Sequence, residues 1–263
     1  MDATEFLGLR STHNPHRWFL PLSTGICTRG GFLFGGCGLA AAVTALEATT
    51  GRDLIWATAQ YLDYGRPPAV LDLDVIVPVS GKRVTQARAV GHVLDREIIT
   101  VNAALGSRPL DVEGQWAEFP DVPAPEDCPP PDREQGQGTI DSRVDLRVAH
   151  GSWGTRKDRL PSGDGRSALW VRIPEMDLSA AALAIMADWM TGGVGPALAR
   201  WAGANSLDNT IRILRVVPTQ WVLCDIRIHG VRRGFAHGLI HLWSREGELL
   251  ATGGQSAIVR IFD

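Results

Sequence analysis

Cysteine is scarce in this chain of 263 residues. Only Cys27, Cys37, Cys128 and Cys224 occur, and no two stand at a CxxC or other metal-ligand spacing. That argues against a zinc framework and against a disulfide scaffold, and it fits reduced thiols in a cytoplasm. Long apolar runs are missing too. None approaches the roughly 20 residues that a bilayer span needs, so no membrane association is expected. Residues Met1–Arg10 lack a cationic stretch followed by an apolar one, so no secretory signal is expected. Charge of one sign is not concentrated: the net charge is −3 and the basic residues are scattered. No nucleic-acid footprint is visible. Finally, GxSxG, HExxH and Walker loops are absent, so serine-hydrolase elbows, zincins and P-loop enzymes lose their main support.

What is present is one programme run twice. With 44% hydrophobic residues the chain can fill a sizeable core. Phe19–Thr28 reads as a short strand, and glycine pairs at Gly30-Gly31 and Gly35-Gly36 lead into an Ala/Gly-rich helix, Phe34–Thr50. Leu39, Val43 and Leu46 share a face, small residues fill the rest, and Gly51 is a stop signal. Strand-like runs follow at Ile55–Tyr64, Ala69–Val79, Arg83–Leu94 and Ile98–Leu105, and their short connections predict antiparallel hairpins. Residues 107–140, rich in Pro, Gly and acids, read as a linker. Strands at Asp141–His150 and Ala168–Ile173, split by a loop at Gly151–Arg166, open a second unit. A second Ala-rich helix, Leu178–Ala202, is interrupted by Gly192-Gly193 and Gly195-Pro196. Strands at Asp208–Val217, Gln220–Val231, Gly234–Ser244 and Glu248–Ile261 complete it. The expected class is α+β, with units at 1–106 and 141–263. Each has an antiparallel sheet on its helix, and the two sheets are able to join edge to edge.

Several residues are chemically conspicuous. Gly36-Cys37-Gly38-Leu39-Ala40-Ala41 matches GxGxxA, the turn of a dinucleotide site. Four strands without an intervening helix argue against that fold. Two other readings stay open: a helix N-terminus offering N–H donors to an oxyanion, and close helix–sheet packing. Gly163–Ala168 is a second formal match that precedes a strand and reads as loop. His237 and His241 share a strand face near His229, but carboxylates at metal spacing are few, so no metal is expected. Asp188 sits in a helical stretch otherwise apolar for two turns. A carboxylate there must find partners or shift its pKa, so it is either on a narrow exposed stripe or catalytic. Gln255 is polar in a small, otherwise apolar strand, and Ser206 opens a strand where its hydroxyl has an ordinary role as a cap.

In order and spacing the chain resembles the acyl-CoA thioesterase II (TesB-like) family of double-hotdog enzymes. The resemblance rests on Phe34-Gly35-Gly36, Ser206-Leu207-Asp208-Asn209-Thr210-Ile211, Trp221-Val222-Leu223, Gly234-Phe235-Ala236-His237-Gly238, and Gly247-Glu248-Leu249-Leu250-Ala251 leading to Gln255 and Val259-Arg260. It implies two hotdogs, each a sheet wrapped around its helix, paired as an intramolecular pseudo-dimer. It implies hydrolysis of acyl-CoA by a water that Asp188, Ser206 and Gln255 orient, with no metal or redox cofactor. Glycines near the helix starts, Gly35, Gly36 and Gly38 or Gly192 and Gly193, are the candidates to receive the thioester. One departure stands out: Cys37 replaces the Gln usual in the family. That motivates an alternative, a non-catalytic acyl-CoA or lipid-binding double hotdog. A hotdog hydratase is a third reading, opposed by the lack of a suitably spaced His near Asp188. A homo-oligomer is compatible with all three.

Overall fold

The computed structural model describes residues 1–132, 136–153 and 163–262. A short helix α1 (Ala3–Leu7) precedes β1 (Arg10–Ser11) and β2 (Arg17–Pro21). Helix α2 (Gly35–Thr50) follows, where the small-residue run predicts it, and Gly51 ends it in the left-handed region at φ +64°. Its residues from Gly36 to Val43 are all buried, because alanine and glycine let surrounding elements approach from every side. Then come β3 (Leu54–Tyr61), β4 (Val70–Ser80), β5 (Val84–Val93) and β6 (Arg96–Gly106). The second half contains β7 (Asp145–His150), β8 (Arg166–Arg172), α3 (Ala180–Ala187), α4 (Val194–Leu198), β9 (Ala202–Ser206), β10 (Asp208–Ile213), β11 (Val222–Arg232), β12 (Phe235–Ser244) and β13 (Leu249–Ile261). Among the described residues no helix is long and apolar enough to cross a membrane. All four cysteines are buried and unbridged.

The strands form one 13-stranded antiparallel sheet rather than two separate ones. Its order is β1-β2-β4-β5-β6-β3-β10-β13-β12-β11-β8-β7, with β9 added to β13. The seam is β3 against β10, whose pairing consumes the two edges that separate sheets would leave open. Helix α2 packs on β3 to β6, α3 packs on β10, β12 and β13, and the two helices touch each other.

Three sequence expectations need correction. First, β3 does not form a hairpin with β4. Both edges of β3 are taken, by β6 and β10, and β2 occupies the edge of β4 instead. Second, the helix predicted over Leu178–Ala202 is three pieces. Ser179 caps α3, accepting from the Ala182 N–H at 3.2 Å. The backbone then tightens to a 3-10 helix over Asp188–Gly193 and resumes as α4, ending before β9. The glycine pair relaxes the α-helix, and Pro196 is tolerated because it lies in the first turn of α4. Third, the strand expected from Asp141 begins at Asp145, after a 3-10 turn over Ile140–Arg143. Of the loop predicted at Gly151–Arg166, residues 154–162 lie outside the described residues, as do residues 133–135 of the linker. The described part of the linker is packed. Trp170 Nε1 donates to Pro123 O at 2.9 Å, and Phe119 meets Trp243 edge-on with ring centroids 5.7 Å apart.

Candidate active site

Asp188 stands where α3 gives way to the 3-10 helix and is 4% exposed. Its carboxylate is surrounded by donors from both halves of the chain. Oδ2 accepts the Gly36 N–H at 2.7 Å. Oδ1 accepts Gln255 Nε2 at 2.9 Å, Ser206 Oγ at 3.1 Å and, more weakly, Asn209 Nδ2 at 3.4 Å. Gln255 Nε2 also reaches Ala187 O at 3.3 Å, which ties the amide to the helix end beside the carboxylate. The α2 N-cap, Phe34, has no side chain able to cap, so Asp188 supplies that function from the other half. Negative charge at a helix N-terminus is favourable, and the Gly36 N–H is one of its orphan donors.

The sheet delivers the other side chains by phase and by one irregularity. Gln255 and Asn209 occupy inward positions of β13 and β10, where neighbouring residues are apolar. Ser206 and Asn209 would point to opposite faces of a regular strand. Both pair with β13, but Ser206 faces Ala257 while Thr210 faces Gly254, so one residue, Leu207, is extra. This bulge brings both side chains onto Asp188. Asp208 closes the irregularity by accepting the Ser256 N–H at 2.8 Å.

Burial pushes the Asp188 carboxyl up to about 6, and the four hydrogen bonds pull it down by less. Such a group is ionised at neutral pH yet basic enough to take a proton. It borders a cavity of about 130 Å³ lined from both halves, by Phe34, Gly35 and Tyr61 on one side and Asp188, Thr191 and Ser206 on the other. A larger surface bowl, about 960 Å³, is formed by the Arg172–Leu178 and Val216–Gln220 segments with Arg245 and Glu246. It contains none of these groups.

Of the glycines singled out in the sequence, Gly35 lines the cavity and Gly36 holds Asp188. The others lie elsewhere. A Cβ on Gly38 would meet Leu33 and Ile99, one on Gly192 would fall 2.2 Å from the Trp153 ring, and one on Gly193 would meet Ile226. Their smallness serves packing, and the GxGxxA match is a helix start pressed against its neighbours. Cys37 is fully buried, and its thiol is pushed up by that burial and by the Asp188 charge. His237 lies on the exposed face of β12, sharing a hydrogen bond with Ser256 Oγ. Sequence reasoning missed Tyr61 and passed over Asn209 as a chemical group. Asn209 carries a usable signal, a polar residue at an inward strand position. Tyr61 carries none, since an aromatic in an alternating strand is ordinary.

Residues 125–259 match the family profile described as the acyl-CoA thioesterase C-terminal domain. A structure from Novosphingobium aromaticivorans, provisionally called a thioesterase, is 33% identical, with 94% of this chain and 96% of that one covered and a TM-score of 0.85. Two more distant structures share the fold. One is a protein of unknown function with a hot dog fold from Alicyclobacillus acidocaldarius (19% identity, 99% and 98% covered, TM-score 0.86). The other is the acyl-CoA thioesterase II of Mycobacterium marinum (18% identity, 99% of each chain covered, TM-score 0.76). No protein of curated function matches the sequence. The chain belongs to the acyl-CoA thioesterase family.

Proposed function

We propose that this chain hydrolyses acyl-CoA to a free acid and CoA, with Asp188 as the group that activates water. The observation that carries this reading is the buried carboxylate at the cavity wall, held by four donors and raised to about 6. In this reading residues 1–106 and 141–263 are two hotdog units, joined by 107–140, and the substrate lies between them.

The chemistry follows from the lone pairs. Oδ1 is occupied by Ser206, Gln255 and Asn209, which fix the carboxylate plane. Oδ2 has only Gly36 and retains accepting capacity for a water in the cavity that Asp188 borders. A water bound there donates one proton to Oδ2 as its oxygen attacks the thioester carbonyl carbon. The carbonyl π electrons move to oxygen, giving a tetrahedral oxyanion. Collapse of that species breaks the C–S bond, and the proton held by Asp188 passes to the departing CoA sulfur. A thioester is already activated towards water, so the sequence needs no metal or redox cofactor. Ser206 and Gln255 thus act chiefly through the carboxylate.

Release of free thiol from a panel of acyl-CoAs tests the reading, with wild type and Asp188→Asn side by side. Wild type is expected to release thiol and the variant to lose about 100-fold or more in turnover, the usual scale for a general base. Equal rates in the two proteins would overturn the assignment of Asp188. No release by wild type across the panel would overturn the acyl-CoA reading.

A further inference from the structure

The oxyanion formed in that reaction needs a donor, and two of the backbone groups named for it in the sequence, the N–H groups of Gly36 and Gly38, are engaged. The Gly36 N–H already bonds Asp188 at 2.7 Å. Gly192 and Gly193 face Trp153 and β11. Two other cavity hydroxyls are committed as well: Ser206 Oγ donates to Asp188, and Thr191 Oγ1 donates to Asp188 O at 3.3 Å. Tyr64 Oη accepts from Asn205 Nδ2 at 3.2 Å and belongs to an exposed side chain.

Tyr61 differs. It closes β3 at the seam, where its N–H bonds Leu207 O at 2.9 Å and its ring packs on the core beside the cavity. Its phenol oxygen is buried and makes no hydrogen bond of good geometry; the one side chain placed to bond it is the Asn209 amide, which is also drawn to Asp188. A buried hydroxyl without a partner is costly unless something else satisfies it. Where it faces is shown by Gly35. A Cβ at that residue would stand 2.8 Å from Asp188 Oδ2 and 3.1 Å from Tyr61 Oη. The basic oxygen and the phenol therefore press on the same face of Gly35, where a side chain would clash, and all three residues line one cavity. Thr28 Oγ1, also buried without a partner, lines the same cavity but lies by the turn at Gly30 and is not among the atoms that close on Gly35 beside Asp188 Oδ2. We infer that Tyr61 is a catalytic residue, donating its phenolic hydrogen to the thioester carbonyl oxygen and to the oxyanion that replaces it, while Asp188 activates the attacking water. The inference rests on the acyl-CoA reading above.

The electrostatics are consistent with a donor. Burial and the Asp188 charge hold the phenol well above its ordinary pKa, and the nearby Asn209 amide offsets them only in part. Tyr61 therefore keeps its proton while Asp188 is ionised. The hydrogen bond strengthens as charge develops on the carbonyl oxygen, which is the requirement for lowering a barrier rather than merely binding substrate.

Tyr61→Phe removes one oxygen and keeps the ring. Two measurements test it. Turnover is expected to fall about 100-fold or more with KM within a few-fold, as for loss of one oxyanion donor. Separately, affinity is compared for two non-hydrolysable CoA derivatives of equal length, a ketone retaining a carbonyl and a thioether lacking it. Wild type should prefer the ketone, and the variant should lose that preference while binding the thioether as before. An active wild type with Tyr61→Phe within threefold, or with the ketone preference intact, overturns the role of Tyr61 and leaves the hydrolase reading standing. Failure of wild type to hydrolyse acyl-CoA or to bind either analogue overturns the acyl-CoA reading, and the role of Tyr61 with it.

Discussion

At the scale of single residues, Asp188 links stability to activity through one proton. Its carboxyl is raised by burial to about 6 from an ordinary 3.8. Between those values the folded chain keeps a proton that the unfolded chain has released. Stability tied to this group is therefore fully present below about pH 4 and is lost as pH rises through 6, by about 3 kcal/mol for a shift of roughly two units. Activity runs the other way, since only the ionised form accepts a proton from water. We expect kcat/KM to climb with a midpoint near 6 and then level off. We also expect the pH dependence of the unfolding free energy over the same range to flatten in Asp188→Asn. Denaturant titrations and initial rates across that range check both, and a rate profile flat down to pH 4 would contradict the assignment. Asp188 and Gln255 could be picked from the sequence because each is polar where its neighbours are apolar. Ser206 was visible as a hydroxyl opening a strand, but only the family resemblance placed it beside Asp188, because its placement depends on a bulge that no residue pattern announces.

At the scale of elements, the site depends on two irregularities. One is the close approach of α2 to the end of α3. A Cβ on Gly36 would stand 2.8 Å from Ile185 O and 2.9 Å from Ile185 Cα, both backbone atoms that cannot step aside. Gly36→Ala should cost on the order of 1–3 kcal/mol by overpacking. It should also lower turnover by shifting the N–H that holds Asp188, which thermal melts and rates together would reveal; an unchanged melting temperature would show that the helices have room. The other is the bulge at Leu207. Asp208→Ala strands the Ser256 N–H, with an expected cost of about 1–3 kcal/mol if water cannot replace the carboxylate. Proton exchange at the Ser256 amide should quicken in that variant, and protection equal to wild type would rule out the stitching role. Helix α2 was legible because small residues and a terminal glycine mark it at both ends. The second helix was overextended, since hydrophobicity continues past Asp188 while the hydrogen-bond pattern changes. The β3 connection was misread because loop length permits a hairpin but does not exclude competition from β2, β6 and β10.

At the scale of the whole molecule, the succession of helix then strands in each half was legible, but the joining of all strands into a single sheet depends on edge pairing that sequence leaves open. That pairing has a consequence for stoichiometry. The two halves meet at Thr58 opposite Thr210, hydroxyls 2.8 Å apart. Thr58 also faces Asn102 in the first half, as Thr210 faces Gly254 in the second. The halves are therefore related through the threonine pair, and each site residue on the strands has a counterpart. Gln255, after Gly254, corresponds to Ala103, after Asn102. Asn209 and Ser206, before Thr210, correspond to Ala57 and Leu54, before Thr58. Every counterpart is an apolar residue buried in the core. The α2 carboxylate, Glu47, turns away to accept the Leu54 N–H at 2.9 Å. Alanine and leucine cannot hold a carboxylate, so the fold offers two related places and equips one. Calorimetric titration with a non-hydrolysable acyl-CoA thioether should therefore saturate at one molecule per chain, and Asp188→Asn should abolish turnover without exposing residual activity from the other half. Two equivalents bound, or a variant retaining half the wild-type rate, would mean that the apolar counterpart works as a site. Its residues give it no donor to orient a water and no base to take a proton, which is why a single substitution is expected to silence the whole chain.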